Sequence, residues 1–324
     1  MLRTTMVAAL LALAGALVYG SADFLGGLAA RHLRSVVVTA TAAASGLGLL
    51  LIALPFLGGR WLIGDVLWGA LSGVTGAVAI GLLYACLAIG PMSILSPLTA
   101  VVSAVAPMLW GLLIEQEELA PFGYAGLLLA LVAVVLVAFL PGERITRPSL
   151  RGILMATGSG LAIGAFLIMI DRTSTESGIV PLIVNRAVGA SITGLVVLLV
   201  IVAALRRGDT PRSALTATGV HVGATPSGHA DLEHATSPIP LARQSLRRTW
   251  TLAILCGAVD ATANVLLLLA LRVNGDLAIV SALTALYPAG TVLLAAVVLR
   301  EHIARVQWLG LVLALVAGAL LALA

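Results

Sequence analysis

The chain is 324 residues long, 60% hydrophobic and 10% charged, whereas soluble proteins carry about 25% charged residues. Its 18 basic residues are all arginine and face 14 acids, for a net charge of +4. That composition excludes a soluble globular protein and a polybasic nucleic-acid binder, whose charges cluster on a solvated face, and it places the chain in a membrane. Cys86 and Cys256 both fall in apolar runs and read as small packing residues, not as a disulfide pair.

Ten apolar runs are long enough to cross hydrocarbon: residues 6–29, 36–56, 66–89, 92–114, 122–140, 152–170, 179–205, 252–271, 277–299 and 306–324. The first follows Arg3 and lacks a clear small-residue cleavage site, so it reads as a span and not as a signal peptide. Arginine weights the two sets of short loops unequally. The N-terminus and even-numbered loops hold Arg3, Arg60, Arg172 and Arg272. The odd-numbered loops hold Arg31, Arg34, Arg144, Arg147, Arg151, Arg300, Arg305 and six more between Arg206 and Arg248. Because arginine resists translocation, this bias puts both termini outside. The seventh loop, residues 206–248, is rich in Ser, Thr, Pro and Gly and reads as a flexible connector. Its His221, His229, Asp231, Glu233 and His234 are read as solvated linker residues, not as a metal site.

An internal repeat organises the chain. Gly126-Leu-Leu-Leu-Ala-Leu-Val-Ala133 recurs as Gly310-Leu-Val-Leu-Ala-Leu-Val-Ala317, and Glu117 and Glu301 each stand nine residues before those glycines. Ser96-Pro-Leu-Thr-Ala100 matches Ser281-Ala-Leu-Thr-Ala285, and Gly90 matches Gly275. The reading is an all-α integral membrane protein of ten transmembrane helices, arranged as two inverted five-helix repeats. Residues 1–140 form the first repeat, 141–151 a connector and 152–324 the second. Five is odd, so the second half enters the bilayer from the opposite side, the arrangement that places substrate sites near the midplane between repeats.

The stretch Tyr84-Ala-Cys-Leu-Ala-Ile-Gly-Pro-Met-Ser93, with Pro97, Glu117 and Gly126, resembles the third-to-fifth-span signature of the EamA-type transporters of the drug/metabolite transporter superfamily. Ala270-Leu-Arg-Val-Asn-Gly275, Pro288, Glu301 and Gly310 resemble it again, while Pro107 departs from the usual proline position. The resemblance implies a secondary carrier of small metabolites, often an exporter, with no ATPase. It also matches Arg186 to an arginine common in that span of the family.

Of the charged residues only Asp23, Arg186 and Asp260 lie inside the ten runs, where a charge costs about 2.5–3.5 kcal/mol and normally faces a cavity or a partner. Cys256, Asp260 and Asn264 repeat at four-residue spacing and share a helical face. Asp260 either serves a proton-coupled or charge-recognising site or forms a structural ion pair with Arg186. Arg186, beside Asn185, either binds a substrate carboxylate or phosphate through its planar fork or snorkels to the interface. Asp23 either works in the site or pairs with a loop arginine. Ser96, Thr99, Ser103, Ser281, Thr284 and Thr291 form weakly polar stripes that line a path or bond neighbouring carbonyls. Tyr84 and Tyr287 stack on substrate or fill the core. Pro97, Pro107 and Pro288 are candidates to kink their helices, and Glu117 and Glu301 read as structural markers of the repeat.

The function expected is a secondary active transporter working by alternating access, a proton-coupled exporter of a small metabolite or drug-like molecule. Its partners are the lipid bilayer, the substrate and protons, with no cofactor, metal or nucleic acid, in a monomer or homodimer of the plasma membrane. A non-transporting sensor or partner protein is the alternative. An intramembrane enzyme is disfavoured because no span holds a histidine and no His-Glu-x-x-His motif or phosphate loop occurs.

Overall fold

A computed structural model describes residues 2–89, 92–138, 149–208, 210, 215–216, 246–273, 276–300 and 303–323. In chain order its helices are α1 Leu2–Ala30, α2 Ser35–Leu57, α3 Ile63–Ile89, α4 Met92–Leu113, α5 Pro121–Val137, α6 Leu150–Asp171, α7 Val180–Arg206, α8 Leu246–Arg272, α9 Leu277–Thr284, α10 Tyr287–Val298 and α11 Arg305–Leu323. A 3₁₀ turn, Thr175–Ser177, precedes α7. Hydrocarbon offers the backbone no partner, so a chain this apolar forms helices that satisfy their own amides and carbonyls. Among the described residues eight helical segments are long and apolar enough to cross a membrane, and Pro97–Leu113 and Pro121–Val137 are shorter apolar helices. The protein is an all-helical, multi-pass membrane protein.

Two expectations need correction. The ninth apolar run is not one helix: α9 stops at Thr284 and α10 starts at Tyr287. Pro288 has no N–H to give the Thr284 carbonyl four residues back, so the ladder breaks there. α4, in contrast, continues through both Pro97 and Pro107. Second, α3 starts three residues before the expected boundary, which brings Asp65 into its first turn. Of the seventh loop, Leu215 and Thr216 are fixed against the corner between α1 and α2: Arg34 donates its backbone N–H to the Leu215 carbonyl at 3.0 Å, and Leu33 bridges to Thr216. His221, His229, Asp231, Glu233 and His234 of that loop lie outside the described residues.

Small residues carry the packing. The buried face of α1 is Ala8, Ala9, Ala12, Ala16 and Ala22, while leucine and valine of α7 such as Leu195, Leu198 and Leu199 face outward. In lipid, apolar burial supplies no drive between helices, so close approach of small side chains supplies it instead. α1 packs on α8 and on the broken pair α9–α10, and α6 packs likewise on α3 and α4. α2 meets α7 and α8, and α7 meets α2 and α3. α5 and α11 run antiparallel, with Gly126 against Leu321 and Gly310 against Val137. The α9–α10 pair is the most enclosed span, 83% buried against 11% for α7.

Candidate functional site

The charged centre lies where α1, α7 and α8 meet. Arg186 of α7, 4% exposed, gives an Nη2–H to Oδ2 of the fully buried Asp260 of α8. One turn on, Asn264 donates from Nδ2 to the Asp260 carbonyl at 2.9 Å, and its Oδ1 accepts the Tyr19 hydroxyl of α1 at 2.7 Å. Asp23, one turn beyond Tyr19 and also fully buried, acts electrostatically with Asp260 and Arg186 on Tyr19 and Cys256. The face at 256, 260 and 264 therefore points inward, and all three intramembrane charges gather around it.

Next to it is a cavity of about 520 Å³, lined by Arg186, Asn185, Asn264, Thr39, Thr193 and Phe166 among others. Asn185 is held by a 2.9 Å bond from its Nδ2 to Ser72 Oγ of α3. A second cavity of about 410 Å³ shares Ile163 and Phe166 with the first and continues to Tyr19, Ser103, Ser281, Thr284 and Tyr287, beside the break between α9 and α10. Ser281 and Thr284 give their hydroxyl hydrogens to carbonyls one turn back, Ala278 and Val280, leaving oxygen lone pairs for a ligand. The combined space is amphipathic: aromatic and aliphatic walls with the Arg186 guanidinium, two amides and several hydroxyls.

Other candidates go elsewhere. Thr99 reaches the Ala156 carbonyl of α6 at 3.2 Å and Thr291 the Gly20 carbonyl at 3.1 Å, so both bridge helices. The side chains of Tyr84, Ser96 and Cys86 lie outside the described part, as does Glu301. Tyr19, Phe166, Thr39 and Thr193 were missed. Tyr19 had a signal, since it stands four residues before Asp23 on the same helical face. Phe166 is one of only five phenylalanines, and the two threonines carry no pattern of their own. Among the described residues no group of three or more His, Cys, Asp or Glu side chains is placed to hold a metal ion.

The even-numbered loops are tied to one another by charged and polar side chains. Arg60 pairs with Glu176 at 2.5 Å, and Asp65 accepts the Ser174 N–H at 3.1 Å and its hydroxyl at 2.5 Å. Glu115 holds Arg172 at 3.1 Å and the Trp110 indole N–H at 3.1 Å, while Arg272 reaches the Thr173 hydroxyl at 2.7 Å. Glu117 accepts the amides of Leu277 and Ala278 at 2.6 and 2.9 Å. This glutamate, expected only to mark the repeat, ties the loop after α4 to the start of α9.

Residues 235–323 match the model of the EamA-like transporter family, in line with the resemblance carried by the motifs of the second half. A solved structure titled "Crystal structure of protein" shares the fold, with a TM-score of 0.60 and 14% identity over 97% of each chain. No curated protein matches the chain.

Proposed function

From the EamA-like transporter match of residues 235–323 as premise, we propose that the chain is a secondary active transporter that exports a small metabolite or drug-like molecule by alternating access, coupled to protons, in the plasma membrane. The observation that carries this reading is the cavity between α2, α3, α6, α7 and α8, with Arg186, the ion-pair partner of Asp260, in its wall. Such a buried charge pair is costly in hydrocarbon and normally belongs to a substrate or proton path.

The inverted-repeat reading, with 1–140 and 152–324 as the two units, draws support from how the helices pair. Taking each helix of the first half to its counterpart five spans later, and taking α9 and α10 together as the ninth span, maps α1 on α8 to α6 on α3. The same operation maps α1 on α9–α10 to α6 on α4, and α2 on α8 to α7 on α3. The reciprocal Gly126–Leu321 and Gly310–Val137 contacts between antiparallel helices are what a two-fold axis in the membrane plane would produce. Gln116 and Arg300, each directly before its repeat glutamate, share φ of 57°, a left-handed conformation uncommon outside glycine.

In this mechanism the aromatic walls at Tyr19, Phe166 and Tyr287 hold the apolar part of the substrate. Asn185, Asn264 and the hydroxyls of Ser281 and Thr284 orient its polar part. Substrate polar groups compete with Asp260 for the Arg186 fork, so that binding and the protonation of the centre are linked. Asp260→Asn is expected to abolish efflux or counterflow in proteoliposomes while the protein still inserts; undiminished transport would remove Asp260 from the mechanism.

A further inference from the structure

The second cavity has a one-sided chemistry. A hydroxyl has a single hydrogen to donate and two lone pairs with which to accept. Around this cavity the hydrogens of four hydroxyls are already spent. Tyr19 gives its own to Asn264 Oδ1 at 2.7 Å, and Ser103, Ser281 and Thr284 give theirs to the carbonyls of Ala100, Ala278 and Val280 at 2.9, 2.9 and 2.7 Å. Their oxygens keep lone pairs, and no lining side chain carries an N–H.

The break after α9 adds two carbonyls from the same wall. Pro288 has no N–H for the Thr284 carbonyl, and the Ala289 N–H that would serve Ala285 goes to Leu286 at 3.0 Å. Four hydroxyl oxygens and two carbonyls therefore stand against at most the one hydroxyl hydrogen of Tyr287. The remaining polar character is aromatic: Tyr19, Phe166 and Tyr287 are three of the nine lining residues in a chain that is 4% aromatic. A ring face is negative and attracts cations.

Lone pairs and ring faces repel an anion and leave a neutral acceptor without partners. They suit a group that brings its own hydrogens and a positive charge, and a primary ammonium carries three N–H donors and no acceptor. The space of about 410 Å³ is far larger than a bare metal ion and leaves room for an apolar body against Ile163 and Leu167. Arg186 lines the first cavity and not the second, so its guanidinium disfavours the ammonium in one compartment while the oxygens favour it in the other.

We infer that the second cavity binds the ammonium end of an amphipathic amine, with the charge on the oxygens of Ser281 and Thr284 beside the helix break and the apolar body among Phe166 and the two tyrosines. This ligand class rests on the transport reading for its purpose and not for its test.

Calorimetric titration of the full chain in lipid nanodiscs at pH 7, against empty nanodiscs, would use three probes of similar shape: 2-phenylethylamine, 2-phenylethanol and phenylacetate. The amine, an ammonium ion at that pH as alkylamines are, should bind about tenfold tighter than the alcohol, the usual worth of a hydrogen bond to a charged group. Phenylacetate should bind more weakly than either. Thr284→Val keeps the side-chain shape and removes one oxygen, and Ser281→Ala removes the other. Each should weaken the amine by about the same factor and the alcohol less, and retained alcohol binding shows that the cavity is intact.

An amine that binds no tighter than the alcohol, or that shows no saturable binding above the empty nanodisc, would overturn the inference. Tightest binding by phenylacetate would assign recognition to Arg186 and overturn it as well. Amine affinity unchanged in both variants, or amine and alcohol weakened equally, would show that these oxygens do not recognise the charge and would also overturn it. An amine that binds with the expected pattern yet is not exchanged in proteoliposome counterflow would refute transport and leave the site standing.

Discussion

Replacing Arg186 by leucine is expected to cost about 3–5 kcal/mol of stability, the usual loss when one partner of a buried ion pair is removed, read as a lower thermal midpoint in detergent. The change takes the guanidinium away from Asp260, whose carboxylate is fully buried. Asp260→Leu, which leaves the buried Arg186 guanidinium without this carboxylate, should cost a similar amount. The double variant Arg186→Leu/Asp260→Leu removes both members of the pair together and replaces them by apolar packing, which is often neutral or stabilising. It should recover most of the lost stability and still fail in counterflow. Wild-type counterflow from the double variant would make the pair structural, and a midpoint as low as the worse single variant would show that charge stranding is not what destabilises it.

The second large effect is expected at Gly257, where α8 crosses α2. A Cβ there would overlap the Ala42 carbonyl oxygen, the Ala42 Cα and the Ser45 hydroxyl. Ser45 Oγ also donates to the Ile254 carbonyl at 3.0 Å, pinning the two helices beside that point. Two of the three obstructing atoms are backbone, so no rotamer change relieves the clash. Gly257→Ala should cost about 3 kcal/mol, the upper end of what overpacking costs where side chains can yield. Gly48→Ala, in the same helix α2 with open space around its added Cβ, should be neutral or slightly stabilising, as the helix propensities of the two residues require. Equal thermal midpoints for the two variants would show that α2 and α8 can part without loss.

Charge scarcity made the centre legible. With three charged residues in ten apolar runs, each was conspicuous, and the four-residue spacing of Cys256, Asp260 and Asn264 put them on one face. Tyr19 was harder to see, because a single tyrosine in an apolar helix reads equally well as packing until a partner on another helix is located. Thr99 and Thr291 fell the other way. They looked like parts of a polar path, but the Thr99 hydroxyl goes to carbonyls of its own helix and of α6, and the Thr291 hydroxyl to the Gly20 carbonyl of α1. Glu117 was legible as a repeated residue and not as a cap, since nothing local indicates that its acceptors serve amides 160 positions away.

What the sequence determined by itself is what depends on local physics. Runs of apolar residues must form helices in hydrocarbon, and a proline inside one must leave the carbonyl four residues back without its usual donor. The tertiary structure decided everything that depends on which helix faces which. It paired Arg186 with Asp260, sent Tyr19 to Asn264, set Phe166 between two cavities and brought Glu117 to the start of α9. Those outcomes rest on close approach of small residues such as Gly111 and Gly257, whose shape complementarity across helices has no periodicity to read along the chain.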